Sequence, residues 1–390
     1  MTHVAVIGAG VFGVWTAHFL HEAGCQVTLV DAYGPGNSRS SSGDESRILR
    51  CGYGPDQIYS RFARRSLDLW RDLERRLDVR APIWHPCGVL WLAAGDDEYT
   101  LATRETLAGE GYPIETFDRD GLRDRFPQFD ADGISTTLFE PQSGVLSARR
   151  AVQHLATDLV ARGVRFVHGR GHVESHNEPL TSICVETPAS AGHRARELTE
   201  VAADRFVFAC GPWLPKAFPQ LLERRIRPTR QGVVYFGTPG GATFTASSTP
   251  AWVDFPAGVY GVPDIEGRGL KVGIDAHGPP FDPDRDDRTI DDATIAKARA
   301  WLQRRFPAMA DAPVVESRVC QYENTSTGDF LIDRHPDHDN VWIVGGGSGH
   351  GFKHGPAVGE YVTRLVTTGA STMVRFALAY KGVEAQRAVY

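Results

Sequence analysis

The sequence predicts an α/β fold in which a Rossmann-like domain is interleaved with an α+β domain built on a mostly antiparallel sheet. Three observations carry it: a βαβ unit with a glycine-rich turn at the start, a set of short strands punctuated by Gly and Pro between residues 233 and 274, and a second glycine-rich strand end near residue 345. At 390 residues the chain exceeds the size at which a single core stops growing, so two domains are expected.

The elements follow in order. His3-Val-Ala-Val-Ile-Gly is a short apolar run, Val14 to Ala23 an apolar-rich helix, and Gln26 to Val30 a second β-rich run, which together read as βαβ. Between Tyr59 and Leu77, Tyr59, Phe62, Ala63, Trp70, Leu73 and Leu77 recur at helical spacing among charged residues, so one face of a helix packs inward. From Trp84 the texture changes to a strand (Gly88 to Ala93), polar helical stretches and turn signals, which reads as an insertion. Ala148 to Ala161 is again a helix; the strand Val164 to His168, a polar excursion and the buried-type run from Arg205 to Gly211 return the chain to the first sheet. Val233 to Gly237, Trp252 to Phe255, Val259 to Val262 and Leu270 to Ile274 form the second sheet. Asp291 to Phe306 is an amphipathic helix, Val341 to Gly345 a strand, and Pro356 to Val366 the last helix. The first domain is therefore expected at 1–83, 146–215 and 320–390, and the second at 84–145 and 216–319.

Composition excludes several classes. Hydrophobic residues at 42% and charged residues at 23% are ordinary for a globular chain, and a net charge of −6 offers no basic excess for a nucleic-acid backbone or an anionic membrane. No apolar run reaches the roughly 20 residues of a membrane-spanning helix, and the chain enters a strand at once without a leader, so a cytoplasmic address is expected. A monomer is expected as well, although nothing in these patterns fixes the oligomeric state. The six cysteines form no CxxC pair and the 14 histidines no HExxH or HxH spacing. Neither disulfides nor a metal site is expected. His335 and His338 read as solvated loop residues.

Gly8-Ala-Gly10-Val11-Phe12-Gly13 lies between the first strand and the first helix, where glycines let backbone approach a pyrophosphate and the helix N-terminus supplies N–H donors. Asp31 ends the second strand, 18 residues after Gly13, placed to accept from ribose hydroxyls. The motif alone does not separate FAD from a nicotinamide. Two further openings do: Phe206-Val-Phe-Ala-Cys-Gly211-Pro-Trp213 and Gly345-Gly-Gly347-Ser-Gly349-His350-Gly351 let backbone pass close to one long cofactor, as extended FAD demands.

Other segments carry a family resemblance. Cys320-Gln-Tyr322, Asp329-Phe-Leu-Ile-Asp-Arg-His-Pro336, Gly349-His-Gly-Phe352-Lys353, Ser-Gly-Asp-Glu-Ser-Arg47-Ile-Leu-Arg50 and Gly269-Leu-Lys271-Val-Gly resemble, in the same order, segments of the monomeric sarcosine oxidase family. That family includes N-methyltryptophan oxidase and pipecolate oxidase, within the D-amino-acid-oxidase-like flavoproteins. Residues 84–145 and 170–203 match less clearly.

The resemblance implies an FAD-dependent oxidase of a C–N bond, acting on a secondary amine such as an N-methyl or cyclic amino acid, with hydride transfer to the flavin, imine hydrolysis and reoxidation by O2 to hydrogen peroxide. It implies a thioether from Cys320 to the 8α methyl of FAD, although a free cysteine is more commonly a buried small hydrophobe. Arg50 and Lys353 would grip the substrate carboxylate, the guanidinium through two parallel hydrogen bonds and the ammonium as a point charge. Lys271 would stabilise superoxide as oxygen reacts. In its strand it should point away from Leu270 and Val272. Tyr260, eleven residues earlier, would close over substrate. Ser42, Arg47, Tyr322, His350 and the Gly347 to Lys353 turn would contact the cofactor.

The departures bear on substrate. The family often has His-His near Ser41-Ser42, a Thr where this chain has Glu323, and, in sarcosine oxidases proper, a His where this chain has Asp275. Glu323 could meet a distal basic group of the substrate. The alternative enzyme reading is an amine dehydrogenase or primary amine oxidase with another electron acceptor or noncovalent FAD. A non-catalytic flavin-binding subunit would have lost Arg50, Lys271 and Lys353, and a NAD-dependent dehydrogenase would not use Cys320.

Overall fold

In a computed structural model of the chain, residues 1–77, 79–93, 97–173, 179–187 and 197–384 are described. The N-terminal βαβ unit seeds a six-stranded sheet ordered Leu331–Arg334, Val341–Gly345, Arg205–Phe208, His3–Ile7, Gln26–Asp31 and Arg165–His168. Its last five strands are parallel and only Leu331–Arg334 runs against its neighbour. The inner parallel strands, covered on both faces, read as continuous apolar runs, which is why they were legible in the sequence, whereas Arg165–His168 is an edge strand with no buried residue.

The first helix, Val11–Glu22, begins three residues earlier than its apolar run suggests, because extended Gly10 is the N-cap and Val11 opens the first turn. It packs on the last helix, Gly355–Thr368, and small residues permit the approach: a Cβ on Gly359 would lie 2.5 Å from the Trp15 carbonyl carbon. The long helix Gln57–Arg76 is capped by Asp56 and turns Tyr59, Leu67, Trp70 and Leu73 inward. Trp70 meets Trp15 edge-on at 5.1 Å, stacks on Phe352 at 5.9 Å and donates to the Lys353 carbonyl at 2.9 Å. The core of this half thereby fixes the turn at residues 352–354.

The second sheet has eight strands, ordered Val314–Thr325, Ile226–Phe236, Leu270–Ile274, Val259–Val262, Ala251–Asp254, Val89–Ala93, Thr136–Glu140 and Glu115–Phe117. All its pairings are antiparallel except Ala251–Asp254 with Val89–Ala93. The helix Asp292–Arg305, capped by the Asp291 side chain on the Thr294 N–H at 2.7 Å, covers one face through Trp301, which stacks on Trp252 at 5.5 Å. Cys320 rides on the edge strand Val314–Thr325, so a boundary drawn at 320 falls inside that strand.

Two small sheets complete the fold. Gly144–Ser147 pairs with both Ser46–Leu49 and Trp84–His85. Arg170–His172, Ser182–Thr187 and Glu197–Ala202 form a meander where the sequence reads as a polar excursion. The expectation of two solvated histidines fails in part, because His338 is buried, with its ring 4.9 Å from that of His335. Among the described residues no helix is long and apolar enough to cross a membrane.

Candidate active site

The parallel sheet ends in the N-terminal glycine turn. Gly8 has φ +107°, and a Cβ there would lie 2.3 Å from the Ala209 carbonyl oxygen; a Cβ on Gly13 would lie 1.8 Å from the Gly8 carbonyl oxygen. Both glycines are required by backbone contact, and Gly13 packs behind the turn without facing the cleft. Asp31 accepts from the Ala9 N–H at 2.7 Å and the Tyr33 N–H at 2.8 Å, and burial raises its pKa against those bonds. Ser42 Oγ accepts from the Val11 N–H at 3.0 Å and stands over Gly10, tying the loop after the second strand to the helix N-terminus.

An open cleft with about 1300 Å³ of empty space runs along these strand ends. Gly8, Gly10, Val11, Phe12, Asp31, Ser42, Gly211 and Trp213 line it from the parallel-sheet half, and Arg47, Cys320, Tyr322, Glu323, Gly347, Gly349, Gly351 and Phe352 complete the lining. Segments far apart in sequence therefore converge on one groove. His350 does not line it: its ring stacks on Phe330 at 5.1 Å and its Nε2 lies 3.0 Å from the Gly328 carbonyl.

At the Asp31 end stands a cluster that the sequence did not reveal. Asp284 accepts from Arg170 and Lys216 at 2.7 Å, Trp213 Nε1 at 2.8 Å and the Tyr33 hydroxyl at 3.1 Å. Burial works against the Asp284 charge, and these partners outweigh it, holding the carboxyl far below the usual range.

At the Cys320 end two cations share one carboxylate. Lys271, fully buried, is ion-paired with Asp44 and donates to the Ser46 carbonyl at 3.0 Å. Arg47 is also ion-paired with Asp44, and its Nη2 donates to the Ser41 carbonyl at 2.8 Å and meets Cys320 Sγ at 3.1 Å. The Tyr235 hydroxyl donates to Asp44 at 2.9 Å. Burial alone would raise the Asp44 carboxyl, but Lys271 and Arg47 hold it far below the usual carboxylate range. Lys271 lies 5.9 Å from the Tyr260 ring. Leu270 and Val272 are as buried as Lys271, so this strand is covered on both faces.

Two more buried cations converge on Tyr53. Arg50 lies over its ring at 4.4 Å and over Trp91 at 5.2 Å; Lys353 Nζ donates to its hydroxyl at 2.7 Å and to the His350 carbonyl at 3.1 Å. His354 Nε2 lies 2.7 Å from the same hydroxyl. Burial works against the Arg50 charge, and Tyr53, Tyr99, Glu140 and Asp275 more than offset it. Lys353 is pushed well below the usual lysine range by burial and by the Arg50 charge. Asp275, accepting from the Tyr322 hydroxyl at 3.2 Å, is raised by burial against the pull of Arg50 and Lys353. Beneath them Glu140 accepts from the Cys51 and Gly52 N–H groups at 2.7 and 3.1 Å and from Trp91 Nε1 at 2.9 Å. That carboxylate fixes the backbone just after Arg50, from a segment whose sequence gave no cue.

The cleft fits an extended dinucleotide. Its floor is glycine where backbone contact forbids a Cβ, a carboxylate stands at the ribose-type position, and a buried Glu323 oxygen without a hydrogen-bond partner lies in its wall. A sequence model of the FAD dependent oxidoreductase family matches residues 3–365. The chain belongs to that family. This FAD-dependent oxidoreductase is 31% identical over 376 residues to monomeric sarcosine oxidase of Bacillus sp. (strain B-0618), covering 94% of this chain and 92% of the relative. It is 26% identical over 369 residues to N-methyl-L-tryptophan oxidase of Yersinia pestis (strain Pestoides F), covering 91% and 92%. Its fold is similar to L-proline dehydrogenase from P. horikoshii, with a TM-score of 0.80 at 20% identity over 97% of each chain. It is also similar to a modified fructosyl peptide oxidase from Aspergillus nidulans, with a TM-score of 0.81 at 19% identity over 98% and 95%.

Proposed function

We propose that this flavoenzyme oxidises the C–N bond of a secondary amine that carries a carboxylate, such as an N-methyl or cyclic amino acid. The observation that carries the reading is the pair of buried cations, Arg50 and Lys353, set on one tyrosine beside Asp275. Two cations brought this close in a low-dielectric interior repel each other, and a carboxylate between them relieves the cost. Arg50 grips it through two parallel hydrogen bonds and Lys353 adds a point charge. FAD held along the Gly8–Gly10 turn, Asp31 and the Gly347–Phe352 turn would supply a two-electron acceptor for oxidation of the carbon next to nitrogen, with O2 as the final acceptor.

The chain's own residues do the rest. The backbone turn at Gly347 to Lys353 and the Lys353 charge stabilise negative charge at the end of the cleft. Lys271, fixed by Asp44 and Ser46, is the preorganised cation for oxygen. Cys320, held beside Arg47, is the residue that would carry the 8α thioether, and Tyr260 closes the substrate side. Asp275, raised by burial, stands near Arg50 and Lys353 where sarcosine oxidases proper have a His, so sarcosine itself is not the first substrate expected. The named activities of the sarcosine and N-methyltryptophan oxidases support the amine class.

The test is oxygen uptake with matched peroxide release from a panel of N-methyl and cyclic amino acids. Oxygen-linked turnover of one or more is expected, and is abolished for amines lacking the carboxylate. Substrate-driven reduction of a dye without oxygen uptake would favour a dehydrogenase, and inertness to every carboxylate-bearing amine would overturn the reading.

A further inference from the structure

Glu323 is a buried carboxyl only half engaged. Its Oε1 accepts from the Gly347 N–H at 3.2 Å, whereas Oε2 is buried with no hydrogen-bond partner, and the residue is 9% exposed. Polar atoms in that condition are few in folded proteins, because each forfeits its hydration. Oε2 lies against glycine backbone: an added Cβ would lie 3.8 Å from it on Gly211, which lines the cleft with Glu323, and 3.1 Å from it on Gly345, where Leu214 already packs.

The order of the strand ends says what passes there. Across the sheet they run Asp31, Gly8, Phe208 with Gly211 beyond it, then Gly345. A dinucleotide with its ribose at Asp31 and its pyrophosphate at the helix N-terminus after Gly10 must send its linking polyol past Gly211 and Gly345 to bring the ring to Arg47 and Cys320. We propose that Glu323 holds this polyol: its Oε2, as the protonated acid, donates a hydrogen bond to a hydroxyl of the ribityl chain of FAD. The inference rests on the extended FAD orientation set out above and is independent of the amine oxidised.

The surroundings favour the acid form. The Cys210 thiol, pushed up by burial with Asp31 and Glu323 nearby, faces Glu323 from the Arg205–Phe208 strand end; Leu214 and the glycine turn flank it, and Pro228 pairs with it on the neighbouring strand. Its chain neighbours turn elsewhere, Tyr322 to Asp275 and Asn324 to Thr229. Burial raises the Glu323 carboxyl to about 7, opposed only by the N–H groups of Gly347 and Gly346. The two pyrophosphate charges would raise it further in the complex. A group whose pKa is higher when ligand is bound gives full affinity below its free value and loses it as pH rises through that value, by at most about tenfold per pH unit.

The test uses full-length Cys320→Ala protein, so that flavin binds reversibly, and reads the Kd for FAD by flavin fluorescence from pH 5.5 to 9. The Kd is expected to rise with pH above about 7 in this parent. Adding Glu323→Gln, whose amide donates but does not titrate, should flatten that dependence while keeping affinity at pH 6 within a few-fold. Adding Glu323→Ala should weaken binding at pH 6 by roughly 3- to 10-fold, the worth of one hydrogen bond. An FAD analogue lacking the contacted ribityl hydroxyl should lose the same factor against the parent and nothing further against Glu323→Ala. Unchanged affinity in the alanine variant, or a pH dependence that persists in the glutamine variant, overturns the proposal. Circular dichroism melts identify a variant that fails to fold, and the glutamine variant then decides. Loss of amine oxidation would sink the proposed function and leave these binding constants untouched.

Discussion

Asp44→Asn is the most informative single change. The carboxylate is the shared counter-ion of Lys271 and Arg47 and also accepts from the Tyr235 hydroxyl, in a place where Lys271 is 1% exposed and Asp44 6%. Asparagine is nearly isosteric, so no cavity opens and the loss is electrostatic. Removing one partner of a buried ion pair costs about 3–5 kcal/mol, because the remaining charge stays desolvated and uncompensated. That is a large share of the 5–15 kcal/mol that holds a typical domain together. Adding Lys271→Met removes the stranded charge, so the double variant should be more stable than Asp44→Asn alone, with a coupling of roughly 1–3 kcal/mol. Urea unfolding, followed by circular dichroism and flavin absorbance, measures all four corners of the cycle. The Asp44 carboxyl is depressed in the folded state, so its contribution is fully present above the unfolded value near 3.9 and is lost only as pH falls toward the folded one. The gap between wild type and Asp44→Asn should therefore narrow as pH falls toward that folded value. Strict additivity of the two substitutions would refute the counter-ion argument.

Other outcomes are equally concrete. Acid precipitation of the wild type should leave flavin absorbance in the pellet, and Cys320→Ala should release it; full release from both would mean noncovalent FAD. Lys353→Met should raise KM for a carboxylate-bearing amine by more than about tenfold, the loss of one charge-assisted contact. Because the Lys353 pKa is depressed, its cation is lost as pH rises through that lowered value, so wild-type KM should climb with pH where the variant's is flat. Lys271→Met should keep substrate-driven flavin reduction and slow reoxidation by oxygen, and unchanged reoxidation would remove Lys271 from that role. Gly13→Ala, which would put a Cβ 1.8 Å from the Gly8 carbonyl oxygen, should abolish flavin retention, whereas Gly109→Ala at an open helix position should be neutral or stabilising by up to about 1 kcal/mol.

Much of the fold was legible because local pattern and burial agree. The apolar runs at His3–Ile7, Arg205–Phe208 and Val341–Gly345 are strands, and the helical spacing from Tyr59 to Leu73 is the inward face of Gln57–Arg76. The twelve-residue strand Val314–Thr325 was not read, since Glu316, Arg318, Gln321 and Glu323 interrupt any apolar pattern. It exists because Ile226–Phe236 supplies eleven residues to pair with. The meander at Ser182–Thr187 and Glu197–Ala202 was hidden in the same way, with one polar face to solvent.

The sequence by itself determined the dinucleotide turn, the family, and which residue types stand at Arg50, Lys271, Cys320 and Lys353, because those rest on short segments whose spacing is local. Only the tertiary structure decided their environments. It brought Asp44 under Lys271 and Arg47, seated Arg50 and Lys353 on Tyr53, placed Glu140 beneath the backbone after Arg50, and turned Glu323 toward Gly211 and Gly347. Asp44 and Arg47, and Arg50 and Tyr53, are three residues apart, but the other partners lie tens to hundreds of positions from one another. A charge's chemistry is set by what is buried within a few ångströms of it, and such proximity is a property of the folded chain rather than of any stretch of its sequence.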